Sequence, residues 1–100
     1  MPDSMLPDQL EAALSRLNGT AQPPWQLVHN KLHKTFVFRD FVEAFAFMTA
    51  AAMQAEKMNH HPEWSNVYKT VVVDLTTHEA SGVTEKDFKL AEIFEALARA

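Results

Sequence analysis

Residues 40–58 read DFVEAFAFMTAAAMQAEKM and residues 60–76 read HHPEWSNVYKTVVVDLT. Between these two runs the apolar period changes, and the element changes with it. Asp40-Phe41-Val42-Glu43 has the form of a capping box, in which Asp40 accepts from first-turn amides and Glu43 reaches back. The helix it opens extends to about Met58, with Phe41, Ala44, Phe45, Met48, Ala51, Ala52 and Ala55 covering nearly one whole side. Core packing is expected for Phe45, Phe47, Met48 and Met53, and the alanines suit close approach to a sheet. His60-His61-Pro62 ends the helix, because proline lacks a donor and disfavours αR at the residue before it. Trp64–Thr76 is strand-like, densest at Val71-Val72-Val73 and Leu75. No glycine marks a turn within it, so the residues alone leave open one bent strand or two.

Outward from these runs the pattern is as regular. Leu10, Ala13, Leu14 and Leu17 repeat at helical spacing, predicting a helix over about Pro7–Leu17. Gly19 follows where a left-handed residue is cheapest. Gln22-Pro23-Pro24 then forces an extended approach to Trp25. From Trp25 to Phe38 the period becomes two, with a polar tip at His29-Asn30-Lys31, which predicts a hairpin. Thr84-Glu85-Lys86-Asp87 is a second capping box, opening a last helix with Phe88, Ala91, Phe94, Leu97 and Ala98 on its buried stripe. The predicted class is α+β, two layers, with the helices on one face of an antiparallel sheet. Uncovered sheet edges favour a homo-oligomer.

The composition narrows the function. The 100 residues suit a single domain spanning 1–100. Nine Lys+Arg against 13 Asp+Glu give a net charge of −4 with no basic cluster, which argues against nucleic-acid partners. The absence of cysteine removes disulfides, thiolate nucleophiles and Cys-ligated zinc, and fits a reducing cytoplasm. No window reaches the ~20 apolar residues that span a bilayer, and Met1–Met5 lacks the apolar run of a secretory signal. A soluble, cytoplasmic protein without a membrane partner is expected.

Three polar clusters remain: Glu56–Trp64, Thr77-His78-Glu79, and Asp87. Histidine exchanges protons near neutral pH, and two adjacent histidines at a helix end have no obvious packing task. Pro62 keeps His61 extended, so the His60 and His61 rings point in different directions. A solvated helix end is the plainer alternative, since cationic side chains favour the C-terminal dipole. Metal binding by His60, His61, His78 and Glu56 is a third, although no H-x-H or H-x-x-x-H spacing supports it. Asp87 is accounted for by its capping box. Trp25 and Trp64 suit packing, or the wall of a site for a flat heterocycle. Nothing resembles a nucleophile elbow. His29 and His33 are bland residues of the hairpin.

Glu56-Lys57-Met58-Asn59-His60-His61-Pro62-Glu63-Trp64-Ser65-Asn66-Val67-Tyr68, followed by Thr77-His78-Glu79-Ala80-Ser81-Gly82-Val83-Thr84-Glu85-Lys86-Asp87, resembles the pterin-4a-carbinolamine dehydratase family. Trp25 and the run Phe36 to Met48 match upstream, so the likeness covers roughly Trp25 to Leu97. The resemblance implies three helices on one face of a four-stranded antiparallel sheet in the order α-β-β-α-β-β-α, assembled as homodimers or homotetramers. It tips Trp64–Thr76 toward two strands. It further implies dehydration of 4a-hydroxytetrahydropterin to quinonoid dihydropterin, in recycling of the pterin used by aromatic amino-acid hydroxylases. No metal or organic cofactor is implied, pterin being the substrate. His60, His61 and His78 carry over as catalytic, with His61 and His78 flanking the reacting edge and His60 orienting or shuttling protons. Glu56, Trp25, Pro62, Trp64 and Asp87 carry over as substrate-binding positions, with Trp25 in the pocket wall. The alternative within the superfamily is a non-catalytic dimerisation or assembly module.

Overall fold

Strands form where apolar and polar side chains alternate, and they join into one sheet. The computed structural model describes residues 4–99, so Met1–Asp3 of the N-terminal stretch and Ala100 lie outside the described residues. Strands β1 (Gln26–Val28), β2 (Lys31–Val37), β3 (Glu63–Val67) and β4 (Thr70–Leu75) pair antiparallel in the order β1-β2-β4-β3. Trp64–Thr76 is therefore two strands. The turn between them places Tyr68 at φ 52°, and the Asn66 amide donates to the carbonyls of Tyr68 (3.1 Å) and Thr70 (3.0 Å). Those side-chain bonds hold a left-handed residue without glycine. At the predicted hairpin tip, His29 and Asn30 both have positive φ, as a two-residue turn requires.

Burial alternates along β2 and β4. Leu32, Lys34 and Phe36, with Val71, Val73 and Leu75, are covered by helices, while Lys31, His33, Thr35, Val72 and Asp74 lie on the open face. His33 is half-buried there, 2.9 Å from the Asp74 carboxylate, rather than simply solvated. The covering helices are α1 (Pro7–Asn18), α2 (Phe41–Met58) and α3 (Glu85–Arg99). Phe47 anchors the core between Phe36 (centroids 5.0 Å), Phe38 (4.9 Å) and Phe94 (5.8 Å). Truncating such a side chain to alanine costs about 3–5 kcal/mol.

Two local expectations fail. Gly19 is right-handed (φ −60°), not left-handed. The chain is turned instead by the Asn18 side chain, which accepts from the Trp25 N–H (2.8 Å) and donates to the Trp25 carbonyl (2.9 Å). On α2 the buried stripe is Ala44, Phe47, Ala51 and Ala55. Phe45 (53% exposed) and Met53 (68%) face outward with Phe41 and Val42, and Met48 is half-buried. The helix is apolar on two adjacent stripes, and the sheet takes the one whose alanines permit the closest approach. At its start, Asp40 accepts from the Glu43 N–H (2.8 Å), while the Glu43 carboxylate reaches one residue further back, to the Arg39 N–H (3.0 Å). Among the described residues, no helix is long and apolar enough to cross a membrane.

Candidate active site

The end of α2 separates the two adjacent histidines. Asn59 takes the left-handed conformation (φ 51°) that commonly ends a helix. Its N–H bonds to the Glu56 carbonyl (3.0 Å), and the His60 N–H reaches back to the Ala55 carbonyl (3.0 Å). This is a Schellman closure, and it turns His60 into the protein while Pro62 leads the chain away into β3. His60 is buried, whereas the His61 side chain is largely exposed. The two rings point in different directions, as the spacing predicted.

Beneath His60 lies Asp87, with 0% exposure. Its Oδ1 is 2.5 Å from His60 Nε2. Its Oδ2 accepts from the Thr77 hydroxyl (2.8 Å) and from the Thr84 N–H (2.9 Å). The predicted capping role is half of what Asp87 does. It satisfies the Thr84 N–H at the start of α3, but the Thr84 hydroxyl turns away to that of Thr77 (2.7 Å). A buried carboxylate surrounded by three donors is well satisfied, and His60 is one of the three.

The third histidine comes from the turn after β4. His78–Ala80 is a 3-10 turn closed by the Thr77 N–H on the Gly82 carbonyl (2.9 Å). Asn30 ties the turn to the β1–β2 hairpin through the Ser81 carbonyl (2.9 Å). A side chain at Gly82 would meet the Asn30 amide at 3.1 Å, a tight contact that Asn30 would have to yield to. His78 Nε2 lies 3.2 Å from Glu63 Oε2, and Glu63 Oε1 pairs with the Lys31 ammonium. The hydrogen bond from Lys31 holds the Glu63 carboxyl below the usual carboxylate range, against a smaller opposing effect of desolvation. The Lys31 ammonium is raised in return, chiefly by the same bond.

Each of the three histidines thus turns Nε2 to its own carboxylate: His60 to Asp87, His61 to Glu56 (2.7 Å), His78 to Glu63. A carboxylate only accepts, so Nε2 carries the hydrogen in the hydrogen-bonded His60 and His61 pairs, while His78 and Glu63 face each other as an ion-pair contact. The three rings border one cavity of about 310 Å3, with Asn59, Pro62, Glu63, Thr76, Glu79 and Lys86 completing its lining. That volume suits a small ring system, at the lower end of ~300–1,000 Å3 for ligand pockets. A larger hollow of about 540 Å3 between Ser4–Gln9 and the start of α3 holds no histidine and offers less chemistry. Among the described residues, no three His, Cys, Asp or Glu side chains are arranged to hold a metal ion.

The expected residues do not all converge. His60, His61, Pro62 and His78 line the cavity, Asp87 lies under it, and Glu56 stands outside it, on His61. Trp25 does not wall the cavity. It is 1% exposed in the core, its indole N–H donating to Glu95 (2.9 Å), and Lys34 pairs with the same carboxylate. An apolar ring with one donor fits that interior, where Glu95 supplies the acceptor. Trp64 does not reach the cavity either. Strand alternation puts it on the covered face opposite Val73, stacked on Phe94 at 6.0 Å. Glu63 and Lys86 line the site without having been singled out. For Glu63 the signal was strand alternation, which separates its side chain from that of Trp64.

Comparison with known proteins agrees with the fold. A family model described as "Pterin 4 alpha carbinolamine dehydratase" matches residues 3–97. A relative from Bradyrhizobium diazoefficiens, named "Putative pterin-4-alpha-carbinolamine dehydratase", is 55% identical over 91 residues, covering 89% of each chain. A relative of the same name from Solibacter usitatus is 58% identical over 74 residues, covering 74% of this chain and 78% of its own. A crystal structure from Brucella melitensis, titled a transcriptional coactivator/pterin dehydratase, superposes with a TM-score of 0.88 at 42% identity. It covers 96% of this chain and 99% of its own. With the three-helix, four-strand order and these matches in agreement, the chain belongs to the pterin-4a-carbinolamine dehydratase family.

Proposed function

We propose that this protein dehydrates a 4a-hydroxytetrahydropterin to the quinonoid dihydropterin and water, by histidine acid–base catalysis without a metal or organic cofactor. The observation that carries the reading is the set of three histidine–carboxylate pairs around one cavity. The C4a–O bond breaks as an acid protonates the departing hydroxyl, which leaves as water. A base takes the N5 proton, and the N–H electrons become the C4a=N5 double bond. One proton is delivered and one removed, so one acid and one base suffice. His61 and His78, both exposed at the rim, suit these two transfers. His60, fixed at the floor by Asp87, suits orientation of the ring or relay of a proton. A carboxylate facing Nε2 favours the tautomer that keeps hydrogen on that nitrogen.

The test is direct. Chemically generated 4a-hydroxytetrahydropterin is supplied, and its dehydration is followed by absorbance with and without the protein. Acceleration above the spontaneous rate is expected, and undiminished acceleration in the presence of a strong chelator. A rate equal to the spontaneous one would sink the enzyme reading. The place of the reaction is regeneration of the pterin released by an aromatic amino-acid hydroxylase, in the cytoplasm.

A second reading, a dimerisation or assembly module, draws on the outer face of α2. Phe41 and Phe45 pair there at 5.6 Å, and Val42 and Met53 extend the exposed apolar surface. Such a surface is characteristic of an interface. We take it as the contact of a homodimer or homotetramer that is also an enzyme. Phe45→Asp is expected to shift the sedimentation coefficient to that of a smaller species, and an unchanged coefficient would remove this face from the assembly.

A further inference from the structure

The three histidines are held by unequal means. His60 is locked by burial, but the His78 side chain is 78% exposed, so packing does little to set its ring. Its fixed neighbour is Glu63, whose two oxygens are shared between His78 and Lys31. The sheet explains why they meet. Glu63 stands opposite Asp74, and Asp74 opposite His33, so all three side chains project from the open face. Lys31, two residues before His33 on β2, projects from the same face and reaches across β4 to Glu63.

Resting on the dehydratase reading, we propose that Glu63 is the positioning residue of His78 and that Lys31 holds Glu63 in place. Glu63 accepts the His78 Nε2–H and leaves Nδ1 to exchange a proton with the substrate. Lys31 is the anchor of the carboxylate and touches no reacting atom. The Lys31 hydrogen bond lowers the Glu63 carboxyl from its ordinary value, which favours the ionised acceptor. The other titratable groups around the pair are Asp74 of β4, engaged by His33, and His61, Glu79 and Lys86 of the cavity lining.

The experiment compares Glu63→Val, Glu63→Gln and Lys31→Met in the carbinolamine assay and by 15N spectroscopy of the histidine rings. Glu63→Val removes the acceptor and is expected to lower kcat about tenfold with KM changed less than about twofold, part of the ~10²–10⁴-fold worth of a positioned proton transfer. Its His78 ring signals are expected to move toward a tautomer mixture, while those of His60 and His61 stay in place and report an intact fold. Glu63→Gln retains an acceptor oxygen and is expected to restore the Nε2–H signature and most of kcat. Lys31→Met is expected to act in the same direction as Glu63→Val and more weakly. An unchanged His78 tautomer in Glu63→Val, or a loss confined to KM, would overturn the proposal. If the wild-type protein accelerates no dehydration, the dehydratase reading fails, and the ring signals still decide whether Glu63 sets the His78 tautomer.

Discussion

His60 and His78 border the same cavity, and they are built in opposite ways. His60 sits under the surface on a carboxylate that also binds Thr77 and the Thr84 amide just before α3. His78 stands on a short turn in solvent, beside a carboxylate shared with a surface lysine. In the first pair, position and stability are one property, because desolvating Asp87 without its three donors is costly. In the second they separate, since exposed ion pairs contribute little to folding. A site can thus combine a ring that cannot move with one that adapts to its ligand.

The largest effect is expected at the buried pair. Asp87→Ala leaves the Thr84 N–H, the Thr77 hydroxyl and His60 without their acceptor, and should cost about 3 kcal/mol in urea denaturation. Turnover should fall with stability. Asp87→Asn, which keeps an acceptor oxygen, should show both losses in milder form. If Asp87→Asn lowered stability and left turnover intact, the contact with His60 would be structural alone.

At the exposed rings the pattern should invert. His78→Ala and His61→Ala are each expected to lose about 100-fold in kcat while changing stability by less than about 0.5 kcal/mol. A loss below about tenfold in either would argue against direct proton transfer by that ring. Glu56→Gln should be milder still, a few-fold in kcat, because the exposed Glu56 acts only through His61 and does not itself line the cavity.

The smallest effect is in the pH dependence of stability. The Glu63 carboxyl is depressed by Lys31, so its contribution is present above the ordinary carboxylate range and is lost as pH falls through the depressed value. The Lys31 ammonium is raised, so its contribution is present below the ordinary ammonium value and is lost as pH rises through the raised one. The stability difference between wild type and Lys31→Met should therefore be flat across neutral pH and shrink toward both extremes. Denaturant melts at a series of pH values check it, and a difference that grew in acid would contradict the pair.

Much of this was legible in the chain. Period-two runs, two capping boxes and the proline after His61 gave the elements and their order, because those signals are local. What stayed hidden depends on partners far apart in sequence. Asp87 looked like a capping residue because its bond to His60, 27 positions away, has no local signature. Trp25 and Trp64 suit packing or a pocket wall on their residue type, and the resemblance alone carries them to the site. The core claimed both, through Glu95 and through Phe94. On α2 the apolar pattern extends beyond one face, and periodicity cannot rank two apolar stripes. Phe45 and Met53 belong to the stripe that stays exposed, while Phe47 joins the alanines on the buried one.

The Thr84 amide has a use beyond structure. Its hydrogen bonds to the carboxylate that also holds His60, so the amide exchanges with solvent when the start of α3 opens and Asp87 withdraws. Each such opening leaves the cavity floor unanchored. Deuterium uptake at one backbone position should therefore count the fraction of molecules with a complete site at any moment, without substrate. A variant that folds yet turns over slowly can then be sorted. Fast exchange at Thr84 means too few competent molecules, and slow exchange means a fault in the chemistry itself.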